Sequence, residues 1–184
     1  MAIDKVTSAS IATDAVGPTQ LNEASNYDFT GTVTGAGESN TPAFFATLGS
    51  EQSISDQTNT KANIDTEVLD TDNAYDHSTN YRFTPQTAGK YYFYALNRMR
   101  SAGDPKSSKI ISCGLNFYKN GSYHLGTSSE FQNNLTRSPN LFIHSVIDMN
   151  GSSDYVEVYC AADHTDNSNV SIIACHFGGF LLTT

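Results

Sequence analysis

The chain has 184 residues, 19 acidic against 10 basic side chains, and a net charge of −9. That length supports one domain burying roughly two thirds of its unfolded surface, with a modest remainder for an arm; two full domains are excluded. The anionic balance excludes nucleic acid and anionic membrane as partners, because phosphate binding needs clustered Lys and Arg. Only 16% of residues are charged while hydroxyl and amide side chains abound, a composition typical of β-rich surfaces rather than helical bundles.

Residues 1–42 come first and differ from the rest. Ile3, Val6, Ile11, Val16 and Leu21 are thinly spaced among Thr, Ser, Ala and Asn, and the segment closes on a Gly-rich stretch before Pro42. It cannot bury a core alone. The expectation is an extended anchoring arm that lays its spaced apolar residues into a groove of another protein or adds a strand to it, with a disordered tail as the competing reading. "MAIDKVTSAS" has no basic stretch followed by an apolar one, so no signal peptide is expected, and the longest apolar run, "AFFATL", is too short to span a bilayer.

From residue 43 to 184 the pattern is one of short strands with turn punctuation: "AFFATLG", "ANIDTEVLD", "YRFTPQ", "KYYFYALNRM", "KIISCGLNFYKNG", "SYHLGTSSEF", "LFIHSVIDMN", "DYVEVYCAAD" and "VSIIACHFGGFLL". With Asn-Gly at 120–121 and 150–151 this predicts an all-β sandwich of antiparallel strands. Alternation places Ile111, Cys113, Leu115 and Phe117 on one face, as it does Val156, Val158 and Cys160, and again Ile173, Cys175 and Phe177. The three cysteines form no CxxC pair and each lies in line with an apolar face, which predicts buried thiols rather than disulfides or a zinc site.

"YYFYAL", residues 91–96, is apolar at every position. Side chains at 91, 93 and 95 point one way and those at 92, 94 and 96 the other, so one set can fill the core while the second remains apolar outside. The pattern does not say which set is which. A contiguous aromatic patch marks an interface, and closed symmetry buries such patches in homo-oligomers.

Catalytic constellations are missing from the sequence. It holds no GxSxG, HExxH or P-loop, and "GAG" at 35–37 lacks the context of a dinucleotide site. Cys175 and His176 are strand neighbours and therefore point to opposite faces, and the five histidines show no metal-ligand spacing. No enzyme and no cofactor are expected.

In order along the chain, "AFFATL", "NIDTEVLDTDNAYD", "YRFTPQTAGKYYFYA", "LNFYKNG", "DYVEVYCAA" and "HFGGFLL" resemble the C1q domain of the C1q/TNF-like jelly rolls over about 140 residues. By this resemblance Phe83, Pro85, Gly89, Tyr91 and Phe93 match the family's core motif, and Phe177, Gly179, Phe180, Leu181 and Leu182 its closing strand. The resemblance implies a ten-stranded double sheet assembling as a tight homotrimer, with the trimer contact expected at Tyr92, Tyr94, Phe180 and Leu182. Some C1q-like trimers bind calcium near their apex, for which Asp163 and Asp166 of "AADHTDNSN" are candidate ligands; a solvated turn is the preferred reading there. Two departures stand out: Ser153 precedes Asp154 where the family often has Gly, and no Gly-X-Y repeat precedes the domain.

Residues 1–37 are similar to the arms placed ahead of β-rich heads in structural proteins of tailed phages, particularly marine and cyanobacterial ones. Together the resemblances imply a non-enzymatic phage virion protein: a capsid decoration or cement trimer, head-fibre-like, docked on other virion proteins through its arm. The alternative is a short tail-fibre tip or adhesin whose loops, with Tyr123, His124 and residues 163–169 as candidate contacts, bind host surface glycan or protein. A secreted soluble ligand is a third class, and it lacks an export signal.

Overall fold

The computed structural model describes residues 41–102, 106 and 108–184. Ile3, Val6, Ile11, Val16 and Leu21 of the expected arm lie outside the described residues. Among the described residues there are twelve strands and no helix: β1 (Ala43–Thr47), β2 (Gln52–Ile54), β3 (Thr60–Lys61), β4 (Thr66–Asp70), β5 (Tyr75–Asp76), β6 (Arg82–Phe83), β7 (Ala88–Ser101), β8 (Ile110–Lys119), β9 (Ser122–Glu130), β10 (Asn140–Asn150), β11 (Val156–His164) and β12 (Val170–Thr183). All nine segments expected to contain strands do so. The count exceeds ten because β2, β3 and β5 are pairings of two or three residues inside the long connections between β1 and β6.

Two six-stranded antiparallel sheets form the sandwich. The first runs β10-β7-β12-β1-β4 with β2 on β12, the second β5-β6-β11-β8-β9 with β3 on β11. The C-terminal strand β12 is threaded between β7 and β1, so the last residues of the chain hold the middle of the first sheet. Asn120 and Gly121 close the β8–β9 hairpin with φ of 53° and 75°, the left-handed pair that a two-residue type I′ turn requires. Asn150 and Gly151 do something else, because β10 and β11 belong to different sheets: the Asn150 side-chain oxygen accepts the N–H groups of Ser152, Ser153 and Asp154 and folds the crossover. Asp154 in turn holds Asn120 at 2.7 Å and Lys119 at 2.8 Å, tying both turns together.

The sandwich has two distinct ends. Residue 43, the start of β7, the 120–121 turn, the 150–155 crossover and the C-terminus cluster at one, since Ala43 pairs with Phe180, Lys90 with Asp148 and Thr183, and Val156 with Lys119. Lys109, Asp166 and the 165–169 connection lie at the other.

Between the sheets lies an aromatic core. Phe44 stacks on Phe83 at 4.1 Å and on Tyr75 at 5.2 Å, and meets Phe177 edge-on at 4.8 Å. Tyr91, Phe93 and Ala95 are fully buried, which assigns this set to the core. Burial drives the Tyr91 phenol up to about 12, and its hydroxyl donates to the Thr87 carbonyl. The three cysteines are buried free thiols, as the alternation predicts. Asn97 is a polar member of this layer, as is Ser101: Asn97 donates to the Gly114 carbonyl and the Cys160 sulfur and accepts from the Leu141 N–H, joining the two sheets.

Two positions depart from simple alternation. Ile173 is only half-buried and Ile172 is buried instead, because the register of β12 on β7 shifts between Ile172 and Ala174. Ile111 likewise gives way to Ile110, where β8 meets the shift between Asp163 and His164 of β11.

Gly89 lies inside β7 rather than in a turn. A Cβ there would meet the Thr183 carbonyl at 2.4 Å, so glycine allows the C-terminal strand its close approach. Pro85, buried between β6 and β7, ends pairing where the chain passes from the second sheet to the first.

Gly179 admits the Phe93 and Phe44 rings: a Cβ would stand 2.7 Å from Phe93 and 2.8 Å from the Tyr92 carbonyl. Gly179→Ala should therefore destabilise the fold by about 1–3 kcal/mol, read as a lower urea midpoint. Asp76 supplies a pH signature. Partial burial pulls its carboxyl upward, but the N–H groups of Thr79, Ser78 and Asn80 and the Asn80 amide outweigh this and set it at about 2, below the ordinary 3.8. A depressed acid stabilises the fold above its unfolded value and loses that contribution as pH falls toward the folded one. Stability should fall between pH 4 and pH 2, and Asp76→Asn should flatten that slope in urea titrations repeated across the range.

Candidate functional site

The outer face of the first sheet carries the side chains that alternation turns away from the core. On β7 these are Tyr92, Tyr94 and Leu96, half-buried while their neighbours are fully buried. Register then dictates the neighbours: Tyr92 faces Val146 on β10 and Phe180 on β12, Tyr94 faces His144 and Gly178, and Leu96 faces Phe142 and His176. Phe45 on β1 pairs with Gly178.

These positions form one continuous apolar surface. Tyr92 packs on Phe180 at 5.6 Å and on His144 at 5.8 Å, and His144 on Phe142 at 5.8 Å. Tyr94 lies across Gly178, where a Cβ would be 2.5 Å from its ring, and reaches Phe45 at 6.4 Å. Phe142 is 53% exposed, Val146 51% and Leu182 41%, values that large apolar side chains hold when nothing among the described residues covers them. Ion pairs bracket the surface, Lys90 with Asp148 at one end and Arg100 with Glu51 at the other.

Of the residues expected at a contact, Tyr92, Tyr94, Phe180 and Leu182 all belong to this face. Sequence reading missed Phe142, Val146 and Phe45. The alternation of "LFIHSVIDMN" carries a signal for the first two, since Leu141, Ile143 and Ile147 fill the inner positions and leave Phe142 and Val146 outside.

The other candidates do not converge. Tyr123 and His124 are exposed near the 120–121 turn, whereas residues 165–169 lie at the opposite end of β8, about 30 Å along a ten-residue strand. Asp166 pairs with Lys109 at 2.5 Å, and Asp163 accepts a hydrogen bond from Gln57 at 3.3 Å, so the two carboxylates engage separate partners. Among the described residues no three His, Cys, Asp or Glu side chains group to hold a metal ion.

Chemically the face is suited to association. Burial, followed by the neighbouring Tyr92, raises the Tyr94 phenol above its ordinary value, which marks a ring already partly withdrawn from water. Cys175 is buried while His176 is exposed on the opposite side of β12, which separates that thiol from its nearest imidazole in sequence.

No family model and no curated protein matches the sequence. Among solved structures, the chain is similar to the globular domain of zebrafish complement 1qA protein, with a TM-score of 0.54 and 16% identity over 77% of this chain and 98% of that one. It is similar also to Eiger TNF from S. frugiperda, with a TM-score of 0.55 and 8% identity over 77% of this chain and 94% of that one. With two antiparallel sheets and these likenesses, the chain has the C1q/TNF-like jelly-roll fold.

Proposed function

We propose that the protein is a non-enzymatic virion structural protein of a tailed phage, a homotrimeric capsid decoration or cement protein docked through residues 1 to about 42. The observation that carries the assembly is the uncovered aromatic face of β10, β7, β12 and β1. Nothing among the described residues shields Phe142, Val146 and Leu182 from water, and three-fold closure buries such a face without leaving a free copy of it. The likeness to C1q and TNF globular domains supports three-fold closure over other symmetries.

The virion setting is supported by the composition of the arm and its resemblance to phage arms. Residue 43 lies at the end of the sandwich that also holds the C-terminus and the 120–121 turn, opposite the 165–169 end that this reading turns outward. With a charge of −9 per chain, the trimer would be a strongly anionic knob that resists self-association. A short tail-fibre tip is the second reading, favoured by the polar trough on the opposite sheet described below.

Tyr92→Asp or Tyr94→Asp should convert the trimer to monomer by light scattering, with the Tyr91 and Phe93 layer still folded by circular dichroism. A trimer that persists in both variants would remove the face from the contact. Deletion of residues 2–37 should leave a folded trimer that no longer joins particles. Immunogold labelling of intact virions tests the location: label over the head supports the decoration reading, and label confined to the tail end replaces it with the fibre-tip reading.

A further inference from the structure

We infer that the outer face of the second sheet holds a binding site for an uncharged sugar ring, centred on Gly114. The site deepens the fibre-tip reading and rests on it for its ligand, while the titration that tests it does not depend on where the protein sits on a particle. Its basis is a row of small residues in register across three strands. Ala161 on β11 pairs with Gly114 on β8, which pairs with Ser128 on β9. In the neighbouring rows stand larger side chains: Ser112 with Asp163 on one side, Asn116 with Tyr159 on the other. The missing bulk leaves a trough of about 310 Å³ along the sheet, open to solvent and on the layer opposite the aromatic face.

The rim is polar and pre-organised. Asn116 is laid across Gly126, where a Cβ would fall 2.0 Å from its side-chain oxygen, and its amide donates to the Asn59 oxygen at 3.2 Å. The Asn59 amide donates to the Tyr118 hydroxyl, and Tyr118 stacks on Tyr159 with ring centres 4.1 Å apart. Across the trough, Gln57 has a left-handed φ of 50°, and its amide donates to Asp163 at 3.3 Å. The ordering of Asn116 and Gln57 is thus accomplished before any ligand arrives.

This chemistry selects the ligand class. Two amides, two serine hydroxyls and one carboxylate supply interleaved donors and acceptors, which match a ring whose every hydroxyl both donates and accepts. The floor of Gly114 and Ala161 suits the C–H face of such a ring. Among the described residues no Lys or Arg lines the trough, so a phosphate, sulfate or acidic sugar would meet Asp163 without a compensating cation. Single sites of this size bind weakly, and three on one rigid trimer gain by avidity.

Gly114 also provides the test. A Cβ there would have its nearest neighbours at 3.8 Å, and its φ is not left-handed, so a β-branched residue fits the strand and fills the trough. The full-length protein, deuterated and labelled with nitrogen-15, would be titrated separately with glucose, galactose, mannose, N-acetylglucosamine, N-acetylneuraminic acid and glucuronic acid. The expected result is amide shifts within residues 112–116, 126–130 and 159–163 for at least one of the four neutral sugars and none for the two acids. Gly114→Val should weaken that binding by about tenfold or more at an unchanged thermal midpoint, and Asn116→Ala should weaken it by a similar factor. Silence across the neutral sugars, shifts elsewhere on the fold, a response to the acids alone, or full affinity in Gly114→Val would each overturn the site.

Discussion

Strand β7 has to satisfy two apolar environments at once, and the rest of the molecule is arranged around that demand. Because side chains alternate with period two, a slip of one residue would exchange Tyr91, Phe93 and Ala95 for Tyr92, Tyr94 and Leu96. Both sets are apolar, so hydrophobicity alone leaves the register nearly degenerate. Polar positions and glycines remove the degeneracy. Lys90, Arg98 and Arg100 lie on the outer set and would be carried into the core by a slip, while Asn97 would lose the Gly114, Cys160 and Leu141 partners that satisfy it. The paired glycines of β12 act alongside: Gly178 accepts the Tyr94 ring on one face and Gly179 the Phe93 ring on the other. Neither ring would fit over a side chain.

From this follows a division between the two layers. The first sheet is apolar on both faces and is the proposed assembly element; the second turns a mixed face to solvent, with Asn116, Ser128 and Asp163 beside the stacked Tyr118 and Tyr159. The second sheet is also held by a more polar apparatus. Lys61 pairs with the nearly buried Glu157 at 2.6 Å and donates to the Asn80 carbonyl, fixing the short β3 against β11. Removing Lys61 would strand the Glu157 charge in a site with little water. A surface that is polar but internally rigid can present fixed hydrogen-bonding groups, which an apolar face cannot.

Much of the fold was legible in the sequence because strand alternation and turn chemistry are local. Asn120-Gly121 specified its hairpin, and Cys113, Cys160 and Cys175 announced their burial through their apolar neighbours. The aromatic run at 91–96 foretold a two-faced strand, although only the packing against Phe44, Phe83 and Phe177 shows which set turns inward. Ile111 and Ile173 misled because bulges are set by pairing between distant strands and leave little local trace. The trough was invisible for a related reason: Gly114, Ala161 and Ser128 are each unremarkable along the chain and become a feature only when three strands align them. Tyr123 and the 163–169 loop are each attractive by composition, and only the strand pairing shows that they lie at opposite ends.

The three thiols lead somewhere different. Burial holds the Cys113 thiol up at about 11, and Cys175, beside Cys160 and shielded from water, is raised as well. Alkylating reagents need access to the sulfur, and the native sandwich withholds it from all three. Each thiol is placed on a different strand, Cys113 on β8, Cys160 on β11 and Cys175 on β12. Their modification rates are therefore a built-in clock of breathing motions, one hand per strand, able to tell whether the sheets part together or the outer strands open first.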